Sequence, residues 1–171
     1  MSRYIETERL VIRPFKEQDL EAALEIFYDE EVKKTYMLPD FECREQAEKL
    51  FQRLMDLSLA KDRYVRGVYI NDHLIGFVND VERVEKRIEI GYAYHPRYWN
   101  QGYATEALGA VLEDLLMLGY TCVRAGHFEE NLASGRVMAK CGMSKIEYSD
   151  SLEYRGKVHT CIYYEYQKEV L

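Results

Sequence analysis

The sequence is poor in the features that mark membrane-spanning and secreted proteins. Its 171 residues contain no apolar run approaching the roughly 20 residues that a membrane helix needs. The first residues lack the apolar stretch of a secretory signal, so we expect a cytoplasmic protein that binds no membrane. Proline is scarce, at 3 residues, and the 10 glycines are dispersed. Because no stretch reads as a linker, we predict a single domain over residues 1–171.

Cysteine and histidine are few and scattered. Cys43, Cys122, Cys141 and Cys161 show no CxxC spacing. We therefore expect reduced thiols, mostly buried as small hydrophobes, rather than disulfides. The 4 histidines lie far apart and form no pattern such as HExxH, so we predict that the protein binds no metal.

Positive charge is in deficit, with 23 lysines and arginines against 30 acidic residues and a formal net charge of −7. A nucleic-acid-binding protein would carry a basic stripe, and none is visible, so we expect no nucleic-acid partner. An acidic surface can steer a cationic amine, although the need for solubility explains the same balance. Hydrophobic residues make up 47% of the chain, which is enough to form a globular core.

Hydrophobic periodicity predicts four helices and seven strands in one order along the chain. The predicted helices are Asp19–Asp29, Arg44–Ala60, Gly102–Leu118 and about Ala133–Lys140. The predicted strands are Arg9–Pro14, Tyr64–Ile70, His73–Asn79, Arg87–Tyr94, Thr121–Ala125, Met143–Tyr148 and His159–Lys168. This order indicates an α/β (α+β) fold, a mixed sheet with helices on its faces. The helix from Gly102 is expected to connect two parallel strands.

The segment Pro96–Ala107 is the most informative part of the sequence. It lies between a predicted strand and a predicted helix, whose unpaired N–H groups and positive dipole end suit a phosphate. Gly102 and Ala104 leave room for a ligand to approach, and Thr105 can add a hydroxyl donor. The segment therefore indicates an anion site able to hold a pyrophosphate, although an ordinary helix start with a glycine turn has the same features. It carries neither GxxxxGK[ST] nor GxGxxG.

Further motifs extend this pattern over almost the whole chain. They are Glu8–Pro14 (ERLVIRP), Leu74–Gly76, Glu89–Tyr92, Trp99–Ala107 (WNQGYATEA), Asn131–Ser134 and Ala139–Met143. Together and in this order they resemble the GNAT superfamily of N-acetyltransferases, and within it the branch of ribosomal-protein N-terminal acetyltransferases. Two positions depart from that pattern, since Trp99 occupies the first slot of the pyrophosphate loop and Met143 replaces a phenylalanine.

The resemblance implies a fold and an activity. The fold would be a mostly antiparallel sheet of about seven strands flanked by about four helices, with a splayed strand pair that binds the cofactor. The activity would be acetyl transfer from acetyl-CoA to a primary amine, either a protein N-terminus or a small-molecule amine. A noncatalytic acyl-CoA-binding module of the same fold is the alternative. The resemblance leaves open whether the protein is a monomer or a homodimer.

The resemblance also assigns the cofactor contacts. Tyr92 and Tyr94 would lie on the strand that holds the pantetheine arm. The pyrophosphate would lie on the turn formed by Asn100, Gln101, Gly102, Tyr103, Ala104 and Thr105. Asn131 would contact the arm, although the same residue can instead cap the following helix through an Asx turn.

Three residues are candidates for proton transfer. Glu89, on the cofactor strand, can take the proton of the amine directly or through water, or it can be an ordinary charge beside Arg87. Glu153 matches a family carboxylate by its distance from the Asn-x-x-Ser motif, but it belongs to Ser149–Glu153, a segment that looks like a turn, where solvated acids are common. Ser134 resembles the residue that protonates the leaving thiolate, although it can serve only in helix capping. His127 is either a proton relay or a structural residue at a strand end.

Overall fold

The computed structural model describes residues 4–167. Within them, eight strands and five α-helices follow one another in the predicted order, with one additional strand at the start and one additional helix after the first. The strands are β1 (Ile5–Glu6), β2 (Val11–Arg13), β3 (Val65–Ile70), β4 (His73–Val84), β5 (Arg87–Tyr94), β6 (Cys122–Phe128), β7 (Ser144–Tyr154) and β8 (Lys157–Gln167). The helices are α1 (Leu20–Tyr28), α2 (Glu30–Lys33), α3 (Arg44–Leu59), α4 (Tyr103–Met117) and α5 (Leu132–Lys140).

The strands form one mixed sheet in the order β1-β2-β3-β4-β5-β6-β8-β7. Antiparallel pairing joins β1 to β2, β2 to β3, β3 to β4, β6 to β8 and β7 to β8. The exception is β5 with β6, which run parallel over Arg87–Ile90 and Cys122–Ala125. Since α4 connects these two strands along the chain, the predicted parallel neighbours are confirmed. The mixed, mostly antiparallel fold class is confirmed as well, with one strand and one helix more than expected.

Backbone contacts group the described residues into two compact units, one reaching from the start to Asp80 with Tyr92–Tyr103 added. Its core is rich in aromatic side chains from the helices and the sheet. Phe15 and Phe51 meet edge to face at 5.8 Å between ring centroids, and Phe27 and Phe77 do so at 6.1 Å. Edge-to-face packing of this kind adds to the free energy gained by burying the rings. A single domain over residues 1–171 stays a prediction.

The second unit comprises Val81–Gly91 and the residues from Ala104 onward. Its main helix, α4, buries one apolar stripe at helical spacing, formed by Ala107, Leu108, Val111, Leu112 and Leu115. These five residues are among those that the sequence places on one face of the helix. A smaller cluster forms where β6 and β8 pair, around Phe128, Cys161 and Tyr163.

The structure corrects the end of the predicted β7. Ser149–Glu153 was expected to form a turn, but β7 continues to Tyr154, and the chain reverses at Arg155 and Gly156. Both reversal residues have positive φ, 52° and 72°, as a two-residue hairpin turn requires. The prediction that β8 reaches Lys168 extends outside the described residues.

Other elements differ from expectation for local reasons. The short helix α2 was not predicted; the Asp29 carboxylate begins it by accepting hydrogen bonds from the N–H groups of Glu31 and Val32, at 2.9 and 3.1 Å. All four cysteines are free thiols, but only Cys161 is buried and Cys43 is exposed. The expectation that most cysteines are buried is therefore wrong. No helix within residues 4–167 is long and apolar enough to cross a membrane.

Candidate active site

The turn before α4 has the backbone geometry that close approach of a ligand requires. Pro96–Tyr98 form a single 3-10 turn, begun by His95, whose Nδ1 accepts the N–H of Arg97 at 3.2 Å. Asn100 and Gly102 then take positive φ values of 57° and 82°. This left-handed region favours glycine and asparagine, and it turns the chain sharply into α4 at Tyr103.

Arg9 holds this turn from a distant part of the sequence. Its Nη1 donates to the carbonyl oxygen of Gln101 at 2.9 Å, and its guanidinium lies 4.4 Å from the centre of the Tyr103 ring. Its Nη2 is 3.2 Å from the position that a Cβ on Gly102 would occupy. The sequence analysis quoted Arg9 within the ERL motif but gave it no role, because a contact across 92 residues has no local signal.

The tyrosines predicted to contact the cofactor lie at the end of β5. Their ring centroids are 6.1 Å apart. Tyr94 is buried, its ring covers Gly76 of β4, and its carbonyl oxygen accepts the indole N–H of Trp99 at 2.8 Å. Trp99 therefore ties the turn to the end of β5. Tyr92 is partly exposed.

Ala104 and Thr105 lie in the first turn of α4, as predicted, and both are partly exposed. The carbonyl oxygen of Thr105 accepts a hydrogen bond from the thiol of Cys141 at 3.3 Å. Burial raises the pKa of this thiol, which therefore stays protonated and acts as the donor. This contact connects the start of α4 to the residue that follows α5.

Glu89 lies in the middle of β5 and is partly exposed. Across the sheet it is in register with Arg124 of β6, which in turn is in register with Glu165 of β8. Arg124 is already engaged, since its Nε and Nη2 donate to one carboxylate oxygen of Glu165 at 3.0 and 2.7 Å. Burial raises the pKa of Glu89 above its ordinary value, and the nearby guanidinium only partly offsets this effect. A carboxylate in this state is a stronger base than an exposed glutamate.

Asp150 of β7 belongs to the same group of side chains, and the sequence analysis missed it. Its carboxylate accepts the hydroxyl of Tyr163 at 3.0 and 3.1 Å and the hydroxyl of Tyr148 at 3.3 Å. The Arg124 guanidinium lies over both rings, 5.3 Å from the centre of Tyr148 and 5.8 Å from that of Tyr163. Asp150 also raises the pKa of Glu89, after burial and beside Glu82. The sequence did not indicate these partners, because the segment around Asp150 has the composition of a turn.

Glu153, the second candidate base, is placed differently. It lies in β7, three residues beyond Asp150, and its side chain is exposed. Successive side chains on a strand point to opposite faces. Leu152 and Tyr154 pack against the cluster around Phe128, so Glu153 projects from the other face. The structure therefore brings Asp150, and not Glu153, together with Glu89.

Asn131 and Ser134 meet at the start of α5. Asn131 is the N-cap residue, and its side-chain oxygen accepts the backbone N–H of Ser134 at 3.4 Å. This is the capping contact that the sequence allowed as the alternative for Asn131. Both residues are partly exposed. The start of α5 thus brings together a side-chain amide and a hydroxyl.

The first unit thus carries a turn whose backbone geometry suits an anion, and the second unit carries the half-buried carboxylate of Glu89. Among residues 4–167, no group of three or more histidine, cysteine or acidic side chains could hold a metal ion. Proton transfer by a carboxylate and binding of a phosphate at a helix start are both available. That combination suits transfer of an activated group from a phosphate-bearing carrier.

Comparison with known families identifies the class of protein. The family model described as the acetyltransferase (GNAT) domain matches residues 9–144 of this chain. The match includes the turn before α4, Glu89 and the start of α5. The chain therefore belongs to the GNAT family of acetyltransferases, and it is an acyltransferase.

Relatives and solved structures agree with this family. The uncharacterized N-acetyltransferase YoaA of Bacillus subtilis is 33% identical over 146 residues, which cover 82% of each chain. A GNAT-family acetyltransferase from Bacillus anthracis has a similar structure, with a TM-score of 0.80, 28% identity and coverage of 96% of this chain and 98% of that chain. RimL, a ribosomal L7/L12 alpha-N-protein acetyltransferase solved in complex with coenzyme A, has the same fold at 16% identity. Its TM-score is 0.82, with coverage of 96% of this chain and 97% of RimL.

Proposed function

We propose that this protein is an acetyl-CoA-dependent N-acetyltransferase in which a primary amine attacks the thioester directly. The observation that carries the proposal is Glu89, a half-buried carboxylate on β5 whose pKa is raised by burial. Its neighbouring cation, Arg124, is already bound to Glu165 at 2.7 Å. Glu89 is thus a stronger base than an exposed glutamate, and within residues 4–167 no close ion pair neutralises its carboxylate.

The reaction needs little covalent chemistry from the protein. The amine nitrogen forms a bond to the thioester carbon, the carbon–sulfur bond breaks, and the electron pair leaves on sulfur. Amines have reference pKa values of about 8 to 10, so an ammonium must first lose a proton, and Glu89 accepts it directly or through water. We assign the return of a proton to the departing thiolate to the hydroxyl of Ser134.

The cofactor would lie across the residues named from the sequence. The backbone of Asn100, Gln101 and Gly102, with the first turn of α4, would hold the pyrophosphate. The end of β5 at Tyr92 and Tyr94, together with Asn131, would hold the pantetheine arm. The likeness of the fold to RimL, which was solved in complex with coenzyme A, supports coenzyme A as the kind of cofactor.

The acceptor we propose is a primary amine, on a protein N-terminus or a small molecule. The similar solved structures include acetyltransferases of the ribosomal protein L7/L12, but at 16% and 17% identity they share the fold alone. A noncatalytic acyl-CoA-binding module is disfavoured by Glu89, whose burial and raised pKa such a module would not need. We further propose one domain, acting in the cytoplasm as a monomer or homodimer.

Calorimetric titration with acetyl-CoA tests the cofactor, with NAD and ATP as controls. We expect saturable binding of acetyl-CoA alone. Release of free thiol from acetyl-CoA is then measured with a panel of peptide N-termini and small amines. Binding without thiol release from any amine would favour the noncatalytic module, and a folded sample that binds no acetyl-CoA would refute the proposal.

Arg9→Ala tests how the turn is held in place. The change removes the bond to the Gln101 carbonyl and the contact with the Tyr103 ring. We expect the Kd for acetyl-CoA to rise about tenfold, the worth of one hydrogen bond and one exposed cation–π contact. Arg97→Ala is the matched control, because Arg97 carries the same charge in the same turn but contributes hydrogen bonds through its backbone. An equal rise in Kd in both variants would show that positive charge near the turn matters and that the contacts of Arg9 with Gln101 and Tyr103 do not.

A further inference from the structure

His127 is a buried histidine that the reaction outlined above does not use. It lies near the end of β6, and its side chain is 8% exposed. One ring nitrogen, Nδ1, is 2.6 Å from the carbonyl oxygen of Phe128. A carbonyl oxygen only accepts hydrogen bonds, so Nδ1 carries the proton and Nε2 of the neutral ring presents a lone pair.

That lone pair has no hydrogen-bond partner among residues 4–167. Buried polar atoms in folded proteins are nearly always paired, because an unpaired one loses its water without compensation. An orphaned acceptor at this depth is therefore a place where a donor from outside the chain is expected.

The imidazole points into the first turn of α5. A Cβ on Gly135 would lie 2.8 Å from Nε2 and 3.3 Å from Cε1, so any larger residue would collide with the ring. Glycine is the poorest helix former apart from proline, and here it makes the space that the imidazole occupies. Tyr164 lies beside the same glycine, with its hydroxyl oxygen 3.4 Å from the Cβ position and its ring centroid 5.8 Å from that of His127.

The same helical turn carries two residues of the proposed cofactor site. Asn131 caps α5, and Ser134 directly precedes Gly135. The unpartnered Nε2 of His127, the capping side chain of Asn131 and the hydroxyl of Ser134 therefore all lie near the start of α5.

We propose that Nε2 of His127 accepts a hydrogen bond from the arm of bound coenzyme A. The arm offers two kinds of donor near its reactive end, the amide N–H groups of pantetheine and the thiol S–H of free coenzyme A. The inference rests on the proposed function, because it requires that coenzyme A binds beside Asn131. It gives His127 a binding role, with no proton transferred.

The test compares two substitutions that differ in which ring nitrogen they replace. His127→Asn places an amide near Nδ1, keeps a donor toward the Phe128 carbonyl and leaves no group at Nε2. His127→Gln places a carboxamide near Nε2 and can restore an acceptor there. Each variant and the wild type are titrated with coenzyme A, acetyl-CoA, desulfo-coenzyme A and adenosine 3′,5′-bisphosphate, which lacks the arm.

We expect His127→Asn to weaken coenzyme A binding about tenfold, as for one buried hydrogen bond, and His127→Gln to recover most of it. Binding of the bisphosphate should not change in either variant. A loss shared by all three arm-bearing ligands assigns the donor to an amide, and a loss confined to coenzyme A assigns it to the thiol. Unchanged binding of all three, or an equal loss for the bisphosphate, would overturn the inference.

A measurement on the wild type tests the same inference without depending on whether a variant folds. With ¹⁵N-labelled histidine, we expect the Nε2 resonance of His127 to move on saturation with coenzyme A, because a donor then engages its lone pair. A resonance that stays in place while coenzyme A binds overturns the inference and leaves the proposed function intact. A wild type that binds no coenzyme A overturns both.

Discussion

Gly102→Glu is expected to weaken acetyl-CoA binding by about a hundredfold or more. The new carboxylate would lie where the pyrophosphate is proposed to bind, and like charges about 4 Å apart near a protein surface repel by about 4 kcal/mol before salt screening. It would also lie beside Arg9, whose Nη2 is 3.2 Å from the added Cβ. An ion pair formed there would turn the guanidinium away from the cofactor. Calorimetric titration at low salt measures the effect.

Gly102→Gln is the control that separates charge from shape. Both variants place a side chain of the same length on a residue with φ of 82°, so both carry the same backbone strain, about 1–2 kcal/mol. The difference in Kd between the two is therefore electrostatic, and it should shrink as salt is added. If the two variants bind acetyl-CoA equally, no anion occupies this turn.

Glu89→Gln is expected to lower kcat about a hundredfold while leaving the Kd for acetyl-CoA nearly unchanged. General-base catalysis contributes about 10² to 10⁴ in rate, and the amide cannot accept the proton. In the wild type the rate should rise as pH increases through the raised pKa of Glu89, because only the ionised carboxylate is a base. That acid limb should vanish in the variant, and the limb that belongs to deprotonation of the amine should remain.

The same substitution, which lowers kcat, is not expected to lower the stability of the folded protein. Burial makes the folded-state pKa of Glu89 higher than the unfolded value, so the folded protein binds more protons in the interval between them. The free energy of unfolding of the wild type therefore falls as pH rises through this interval and stays lowered at neutral pH. Glu89→Gln removes this penalty. Thermal unfolding at neutral pH should show a variant at least as stable as the wild type.

Two other carboxylates serve as controls for Glu89. Glu82 is exposed, binds Arg87 at 3.0 Å and contributes to the field at Glu89, so Glu82→Gln should leave kcat within about twofold. Glu153→Gln should do the same, because that side chain projects from the other face of β7. A large loss of kcat in Glu153→Gln with none in Glu89→Gln would show that Glu153, and not Glu89, is the general base.

Most of the fold could be predicted because its signals are local. The apolar spacing of α4 and the alternation in the strands follow from the period of each element. The extent of β7 could not be predicted, since Ser149–Ser151 has the composition of a turn and its strand conformation depends on β8. The carboxylate of Asp150 in that segment is held by Tyr163, 13 residues further along. Such pairings become visible only when the strands are placed side by side.

In the candidate site too, features formed by nearby residues could be predicted and features formed by distant residues could not. The turn around Gly102 and the start of α5 were predicted, because each lies within a dozen consecutive residues. The roles of Arg9 and Asp150 were missed, because they depend on side chains brought together from distant segments. Glu153 was chosen by its distance from a motif, and distance along the chain does not state on which face of a strand a residue lies.

Several rings in this protein lie directly over a glycine, and the pairing constrains how the sequence can change. In each pair an added Cβ would fall within 3 Å of the ring, so the two positions cannot vary independently. The pairs are Gly67 with Tyr69, Gly76 with Tyr94, Gly126 with Tyr163 and Gly135 with His127. At Gly67, Gly126 and Gly135, loss of the ring would free the glycine to become alanine, whereas the reverse order of events passes through a clash. Gly76 stays blocked in either order, because the carbonyl oxygen of Ala93 also lies 2.5 Å from the added Cβ. Mutational histories through the other three sites therefore run in one direction, with the aromatic residue changing first.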